Sequence, residues 1–169
     1  MKQFTYILVF LSTFAVDAQE TLDELLNLYN TRSIPYISVE ETRMLQLKGE
    51  VVILDTREKD EYDVSHITGA QLVGFDTFSA KEISEKIKHK DTPLLVYCSL
   101  GIRSEEIGEQ LKKAGFTNVR NVYGGIFEWK NKQFPVVNKS ERETDTVHTF
   151  SKAWGKWLTK GVKTTSPNE

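Results

Sequence analysis

Short runs of apolar and β-branched residues alternate along the chain with segments in which apolar residues recur every three or four positions. Runs of the first kind are typical of buried strands, and they predict strands at 51–54, 71–74, 94–97 and 119–122. The second kind is typical of packed helices, and it predicts helices at 20–30, 38–47, 79–90, 103–114 and 124–129. Because strands that alternate with helices of this length form βαβ units, the pattern predicts an α/β fold with a mainly parallel sheet.

The first 18 residues have the pattern of a secretory signal peptide. Lys2 precedes a mostly apolar run at 4–16, and small residues around Ala18 offer a cleavage site after it. The run is shorter than the roughly 20 apolar residues that span a bilayer, which makes a membrane anchor or a buried first helix a weaker alternative. We therefore expect residues 1–18 to be removed and the protein to be exported, to the periplasm or outside the cell, without stable membrane insertion.

The pattern changes after Pro135. Residues 138–147 are polar and charged and predict a linker, whereas helical spacing then predicts an amphipathic helix that carries Phe150, Trp154, Trp157 and Leu158. We favour a helix that packs on the domain. A helix that binds a protein partner is the alternative, because two tryptophans on one face form a good anchor. The predicted division is a signal peptide at 1–18, a helical extension at 19–35, a main domain at 36–135, and a linker with a C-terminal helix at 136–169.

Composition narrows the classes of function. A formal net charge of -2 gives no reason to expect a nucleic acid or an anionic membrane as partner. The chain has one cysteine, which excludes an intrachain disulfide and a cysteine-rich zinc site. A lone cysteine is usually a small buried hydrophobe, so its surroundings must decide whether it is catalytic.

Cys98 directly follows the predicted strand at 94–97, and a short loop containing Gly101 leads from it to a helix that begins at Arg103. Ligands bind at the carboxyl ends of parallel strands, and a loop that curls into a helix directs several backbone N–H groups at one point. This field and the Arg103 charge should lower the pKa of the Cys98 thiol and make it nucleophilic. On spacing alone, a structural cysteine at the end of a core strand is an equally good interpretation.

Four motifs, in order over about residues 36–135, resemble those of the rhodanese homology domain. They are Asp55-Thr56-Arg57, Glu61-Tyr62 with His66-Ile67-Thr68-Gly69-Ala70, Cys98 to Ser104, and Val122-Tyr123-Gly124-Gly125 followed by Trp129. The resemblance implies a three-layer domain in which helices flank a mainly parallel central sheet. Two positions depart from the pattern: Ser65 replaces a glycine, and Ser99 replaces an arginine that commonly follows the active cysteine.

The resemblance implies sulfur transfer through a persulfide on Cys98, from thiosulfate or a similar sulfane-sulfur donor to a thiol or to cyanide. It also implies that backbone N–H groups hold the terminal sulfur, with substrate-binding positions at Ser99, Leu100, Gly101, Ile102 and Arg103. Because the chain has no second cysteine, the acceptor must come from outside. No metal and no organic cofactor is expected.

The remaining motif residues admit two interpretations. Asp55, Arg57, Glu61 and His66 could handle protons, but a structural polar network near the active loop is the favoured interpretation. The pair Gly124-Gly125 is expected to permit a tight turn beside the loop.

Two other functions compete with sulfur transfer. Related folds use a cysteine loop as a phosphatase, but a loop with five residues between cysteine and arginine fits phosphate, and here four lie between Cys98 and Arg103. The other is a non-enzymatic role, as a sulfur carrier or as a binding module that uses the Trp154/Trp157 segment. The absence of arginine at position 99 keeps this alternative open.

Overall fold

A five-stranded parallel sheet forms the centre of the molecule. The computed structural model describes residues 21–166, so the signal peptide predicted at 1–18 lies outside the described residues. The strand order is β1-β5-β4-β2-β3, and every neighbouring pair is parallel. The strands are β1 (Tyr36–Ile37), β2 (Val52–Asp55), β3 (Gln71–Leu72), β4 (Leu94–Tyr97) and β5 (Val119–Val122). The mainly parallel sheet expected from the sequence is thereby confirmed.

Six α-helices surround this sheet in the described part of the chain. They are α1 (Leu22–Tyr29), α2 (Val39–Lys48), α3 (Lys59–Val64), α4 (Ala80–Lys86), α5 (Arg103–Lys113) and α6 (Gly125–Asn131). The sequence predicted all but α3, whose six residues are too few for helical periodicity to be visible. Within residues 21–166, none of the helices combines the length and the apolar character that crossing a bilayer requires.

The helices lie in two layers on opposite faces of the sheet. Successive residues of β4 point to opposite faces, so Leu95 and Tyr97 belong to one core and Leu94 and Val96 to the other. Buried residues of α1, α2 and α6 pack on the first face, and those of α4 and α5 pack on the second. This arrangement is the three-layer α/β domain that the resemblance implied.

The C-terminal segment differs from the predicted linker and helix. Residues 138–147 contribute to a hairpin of β6 (Val136–Val137) with β7 (Glu143–Thr144) and to the first strand of a parallel pair, β8 (Thr146–His148) with β9 (Val162–Thr164). The predicted amphipathic helix is a single 3₁₀ turn, Trp154–Trp157. Both predictions were wrong.

Backbone conformation explains why the helical spacing misled. Phe150 has a φ of +60°, which no α-helical residue adopts, and the Thr149 N–H donates to the Thr164 carbonyl 2.8 Å away. The apolar residues of this segment serve separate sites: Leu158 is fully buried in the core, whereas Phe150 and Trp154 line a surface pocket. Their spacing therefore reflects separate contacts made by a folded loop. These residues do not share one face of a helix.

Candidate active site

Cys98 lies at the carboxyl edge of the sheet, directly after the central strand β4, and is 2% exposed. The loop that follows turns back over the sulfur, and the Gly101 N–H donates to the Cys98 Sγ at 3.1 Å. Gly101 has a φ of +106°, a conformation that residues with a side chain rarely adopt. The tight turn that aims this N–H at the sulfur therefore depends on a glycine at position 101.

Two asparagines hold the same turn from outside the loop. The side-chain amides of Asn30 and Asn121 both donate to the Gly101 carbonyl at 2.8 Å. The Asn121 side-chain oxygen in turn accepts from the Ser104 hydroxyl at 2.8 Å. Sequence reasoning missed both asparagines. An uncharged polar residue next to Val122 in the strand β5 was the available signal for Asn121, because buried polar groups need partners.

The Gly124-Gly125 turn packs directly against the loop. The Ile126 N–H donates to the Cys98 carbonyl at 2.9 Å, and the Phe127 N–H donates to the Ser99 carbonyl at 3.2 Å. A Cβ at position 125 would collide with the Cys98 carbonyl oxygen, and both glycines have positive φ. The glycine pair therefore allows α6 to begin against the backbone of the cysteine loop.

Arg103 is the first residue of α5 and forms a bidentate ion pair with Glu61 of α3. Its Nη1 and Nη2 donate to the Glu61 Oε2 and Oε1, each at 2.7 Å. The Ser99 hydroxyl lies between them, donating to Glu61 Oε1 at 3.2 Å and accepting from Arg103 Nη2 at 3.3 Å. Ser99 thus joins the pair, and much of the Arg103 charge is balanced by a neighbouring carboxylate.

Opposing effects set the pKa of the Cys98 thiol. Burial raises it, but the charge of Arg103 and the backbone N–H groups of Ser104 and Gly101 outweigh burial and lower the pKa below its ordinary value. Burial likewise raises the pKa of Glu61, but Arg103, together with Arg57 and the Glu58 N–H, outweighs burial and lowers this pKa below its ordinary value. The site therefore eases loss of the Cys98 proton, beside a guanidinium that is itself paired.

Asp55 and Arg57 form a second ion pair, which is sealed from solvent. Arg57 Nη2 lies 2.6 Å from Asp55 Oδ2, and both side chains are 0% exposed. The same Arg57 nitrogen donates to the Ser65 carbonyl at 2.6 Å, and the Tyr97 hydroxyl donates to Asp55. These contacts connect β2, β4 and the segment after α3, as a structural network does.

His66 contacts α3 and the C-terminal hairpin. Its Nδ1 lies 3.0 Å from the Tyr62 carbonyl, and its Nε2 lies 3.2 Å from the Glu141 carboxylate. Its ring stacks on that of Tyr62, and its backbone pairs with Val137. These contacts attach α3 to the C-terminal hairpin.

A pocket of about 200 Å³ opens above the sulfur. It is lined by Cys98, Ser99, Leu100, Ile102, Arg103, Phe150 and Trp154. Phe150 and Trp154 come from the C-terminal segment, and sequence reasoning did not place them at the site. The Phe150 ring lies 5.1 Å from the Arg103 guanidinium carbon and meets the Trp154 ring edge to face at 6.4 Å.

Comparison with known proteins identifies the domain that carries this site. Residues 38–132 match the family described as Rhodanese-like domain. The chain is 37% identical over 94 residues to thiosulfate sulfurtransferase GlpE of Coxiella burnetii, an alignment that spans 56% of this chain and 85% of that protein. It is 32% identical over 97 residues to tRNA uridine(34) hydroxylase of an Enterobacter species, where the alignment spans 56% of this chain but 28% of that protein.

A solved structure is similar over a larger part of the chain. The crystal structure of thiosulfate sulfurtransferase from Pseudomonas aeruginosa aligns with a TM-score of 0.59 at 25% identity, covering 75% of this chain and 24% of that one. Sulfur transfer is therefore supported at the level of the family. Since the family match spans more than half of the 169 residues, the chain belongs to the rhodanese-like domain family.

Proposed function

We propose that this protein is a sulfurtransferase that carries sulfane sulfur as a persulfide on Cys98, from thiosulfate or a similar donor to a nucleophilic acceptor. The observation that carries the proposal is the environment of the sulfur. A thiol with a lowered pKa lies at the base of an open pocket, with the Gly101 N–H 3.1 Å from Sγ. A thiolate is the nucleophilic form of cysteine, and this loop favours it.

In the first step the Cys98 thiolate attacks the outer sulfur of the donor. A bond forms between Sγ and that sulfur, the S–S bond of thiosulfate breaks, and sulfite leaves with the electron pair. The product is a Cys98 persulfide anion, so charge balances without proton transfer. The backbone N–H groups of residues 99–103 hold the added sulfur, and Arg103 supplies positive charge to the loop.

In the second step an acceptor removes the outer sulfur. A cyanide ion or an external thiolate attacks it, the bond to Sγ breaks, and Cys98 is released as a thiolate. Thiocyanate or a small persulfide is the product. The chain has one cysteine, so the attacking thiol belongs to another molecule.

The deciding experiment is the intact mass of the purified mature protein after treatment with thiosulfate, then after cyanide. We expect a gain of one sulfur atom that is lost as thiocyanate, and steady turnover when both reagents are present. Cys98→Ser is the control, since a hydroxyl cannot form a persulfide, and its mass should not change. Turnover by the folded serine variant comparable to that of the wild type would overturn the mechanism.

A non-catalytic sulfur carrier is the second candidate. It is favoured by Ser99, which stands where the family commonly has arginine, and by the pairing of Arg103 with Glu61. A carrier would gain the sulfur once and release it to a partner protein. Persulfide formation without multiple turnover on any small acceptor would support the carrier.

We further propose that the protein works outside the cytoplasm after cleavage behind Ala18. The support is the apolar run at 4–16 with its small residues before Gln19. Expression of the full sequence in a Gram-negative host, followed by mass analysis of the periplasmic fraction, should give a protein that begins at Gln19. Recovery of the uncleaved chain in the cytoplasm would contradict export.

A further inference from the structure

We propose that Phe150 and Trp154 form an aromatic wall that makes the Cys98 pocket selective for sulfur donors with an apolar, aromatic group over inorganic thiosulfate. The inference rests on the proposed function, because it names the substrate class of the same site. Both residues lie beyond residues 38–132, the part of the chain that matches the family. The selectivity is thus a property of the C-terminal segment of this chain.

The first observation is the character of the pocket. Leu100, Ile102, Phe150 and Trp154 supply most of its walls, and among the described residues that line it Arg103 is the one with a charge. That guanidinium is held by both oxygens of Glu61. A dianion such as thiosulfate finds little uncompensated positive charge here, whereas an apolar group finds surfaces on which to lose water.

The second observation is that the backbone of Phe150 adopts a strained conformation. Its φ of +60° is a strained conformation for a residue with a bulky side chain, and such strain concentrates at functional sites. The Phe150 N–H donates to the His148 Nδ1 at 3.1 Å, which fixes the backbone at this point. Phe150 is nevertheless 57% exposed, so core packing does not explain its position. The result is an aromatic surface presented to the pocket.

The third observation is that an aromatic ring fits in size and geometry. The pocket measures about 200 Å³, and a cavity of about 150 Å³ is enough to bind benzene. Phe150 and Trp154 meet edge to face, an arrangement to which a third ring can add by stacking. The ring of a donor would lie against this wall while its sulfane sulfur faces Sγ.

The chemistry is the same transfer with a different leaving group. The Cys98 thiolate attacks the outer sulfur of an organic thiosulfonate, the bond between that sulfur and the sulfonyl sulfur breaks, and a sulfinate leaves with the electron pair. The thiolate and the thiosulfonate each carry one negative charge before the reaction. The persulfide and the sulfinate each carry one after it, so charge balances. No oxidant or reductant is needed.

Single-turnover rates of Cys98 persulfide formation test the proposal, with thiosulfate, methanethiosulfonate and benzenethiosulfonate as donors. The two thiosulfonates share the reacting group and a single negative charge, and they differ only in the organic group. Each rate constant is divided by that of the same donor with free cysteine, which removes intrinsic reactivity. For the wild type we expect the normalised rate constant of benzenethiosulfonate to exceed those of methanethiosulfonate and of thiosulfate by about tenfold or more.

Two variants remove the ring in different ways. Phe150→Ala keeps the strained backbone, and Phe150→Gly relaxes it because glycine adopts positive φ freely. In both, the ratio between the benzene and methane donors should fall to about twofold or less. Leu47→Ala, at an exposed apolar residue of α2 that does not line the pocket, is the matched control and should keep the wild-type ratio.

The outcomes separate the two proposals. If no donor forms a persulfide, the proposed function fails, and the aromatic wall fails with it. If all donors react but the normalised rates of the two thiosulfonates are equal, the aromatic wall is overturned while sulfur transfer stands. A ratio that survives in folded Phe150→Ala and Phe150→Gly also overturns it.

Discussion

Two arginine–carboxylate pairs lie at the carboxyl edge of this sheet, and they do different things. Arg57 and Asp55 are separated by 2.6 Å and are both 0% exposed. Arg103 and Glu61 are separated by 2.7 Å, with exposures of 18% and 4%. The chemistry of the two pairs is the same, but the first is closed on every side and the second borders the pocket.

The difference lies in what else each guanidinium contacts. Burial lowers the pKa of Arg57, but the charge of Asp55 raises it above the ordinary value. The Arg57 charge is therefore balanced by a carboxylate that is buried with it. Arg103 also faces the Phe150 ring and lowers the pKa of Cys98. Both arginines belong to motifs of the same family, so membership in a motif does not by itself assign a role. The position of each pair relative to the pocket does.

The largest effect should come from breaking the closed pair. Arg57→Met leaves the Asp55 carboxylate buried without its counter-charge, which costs about 3–5 kcal/mol of the free energy of unfolding. Urea denaturation measures this loss. If the variant loses less than about 1 kcal/mol, the value typical of exposed pairs, the Arg57–Asp55 pair does not stabilise the fold as a buried pair.

A double variant sharpens the same test. Arg57→Met combined with Asp55→Leu removes both charges, so no uncompensated ion remains in the core, and replacing a buried pair with apolar residues is often neutral. The double variant should therefore be more stable than Arg57→Met alone. A loss equal to the sum of the two single losses would show that the charges do not depend on each other.

The next effect concerns the open pair, Arg103 with Glu61, which borders the pocket. We expect this effect in the activity. Arg103→Ala removes the charge beside Cys98, so the midpoint of iodoacetamide alkylation against pH should move upward. Turnover should fall on the order of 100-fold, the size expected when an active-site electrostatic partner is lost. Arg103→Lys keeps a charge without the bidentate pairing, and it should restore much of the midpoint but less of the turnover. An unmoved midpoint in the alanine variant would contradict the role given to Arg103.

The fold of the central domain could be predicted because its signals are local. The apolar run of β4 and the capping of α2 by Ser38 and Gly49 each act within a few residues. The C-terminal segment could not be predicted in the same way, because it forms a parallel pair of three-residue strands, in which Thr146 pairs with Val162 around a folded loop, and strands this short carry no visible period. Apolar residues that serve a core, a pocket and a turn can share helical spacing without forming a helix.

The site divides along the same line. The turn that aims the Gly101 N–H at Cys98 and the positive φ values of Gly124 and Gly125 are each set by residues close in sequence. The pairing of Arg103 with Glu61 and the wall made by Phe150 depend on segments 42 residues or more apart in the chain. No spacing rule predicts such contacts, since the three-dimensional fold alone brings them together.

A smaller effect is expected from adding charge at the open pair. Ser99→Arg places a second guanidinium beside Glu61, which attracts a dianionic donor and stabilises the departing sulfite. The kcat/KM for thiosulfate should rise a few-fold, more than that for singly charged methanethiosulfonate. Ser99→Gln is the neutral control of similar length. Equal or lower efficiency in a folded arginine variant would mean that charge at position 99 does not limit the reaction.

The smallest effect is a pH dependence of stability that belongs to Cys98 alone. Its folded-state pKa is lowered by Arg103 and the loop N–H groups despite burial, whereas the unfolded thiol titrates near 8.5. Between the two values the unfolded chain binds one more proton than the folded one, so the free energy of unfolding rises with pH. Above about pH 8.5 this stabilisation is complete, and it is lost as the pH falls through the folded-state pKa. Urea denaturation of wild type and Cys98→Ser across this range isolates the thiol, since all other groups are common to both. A difference that decreases with rising pH would mean that burial dominates and that the loop does not activate Cys98.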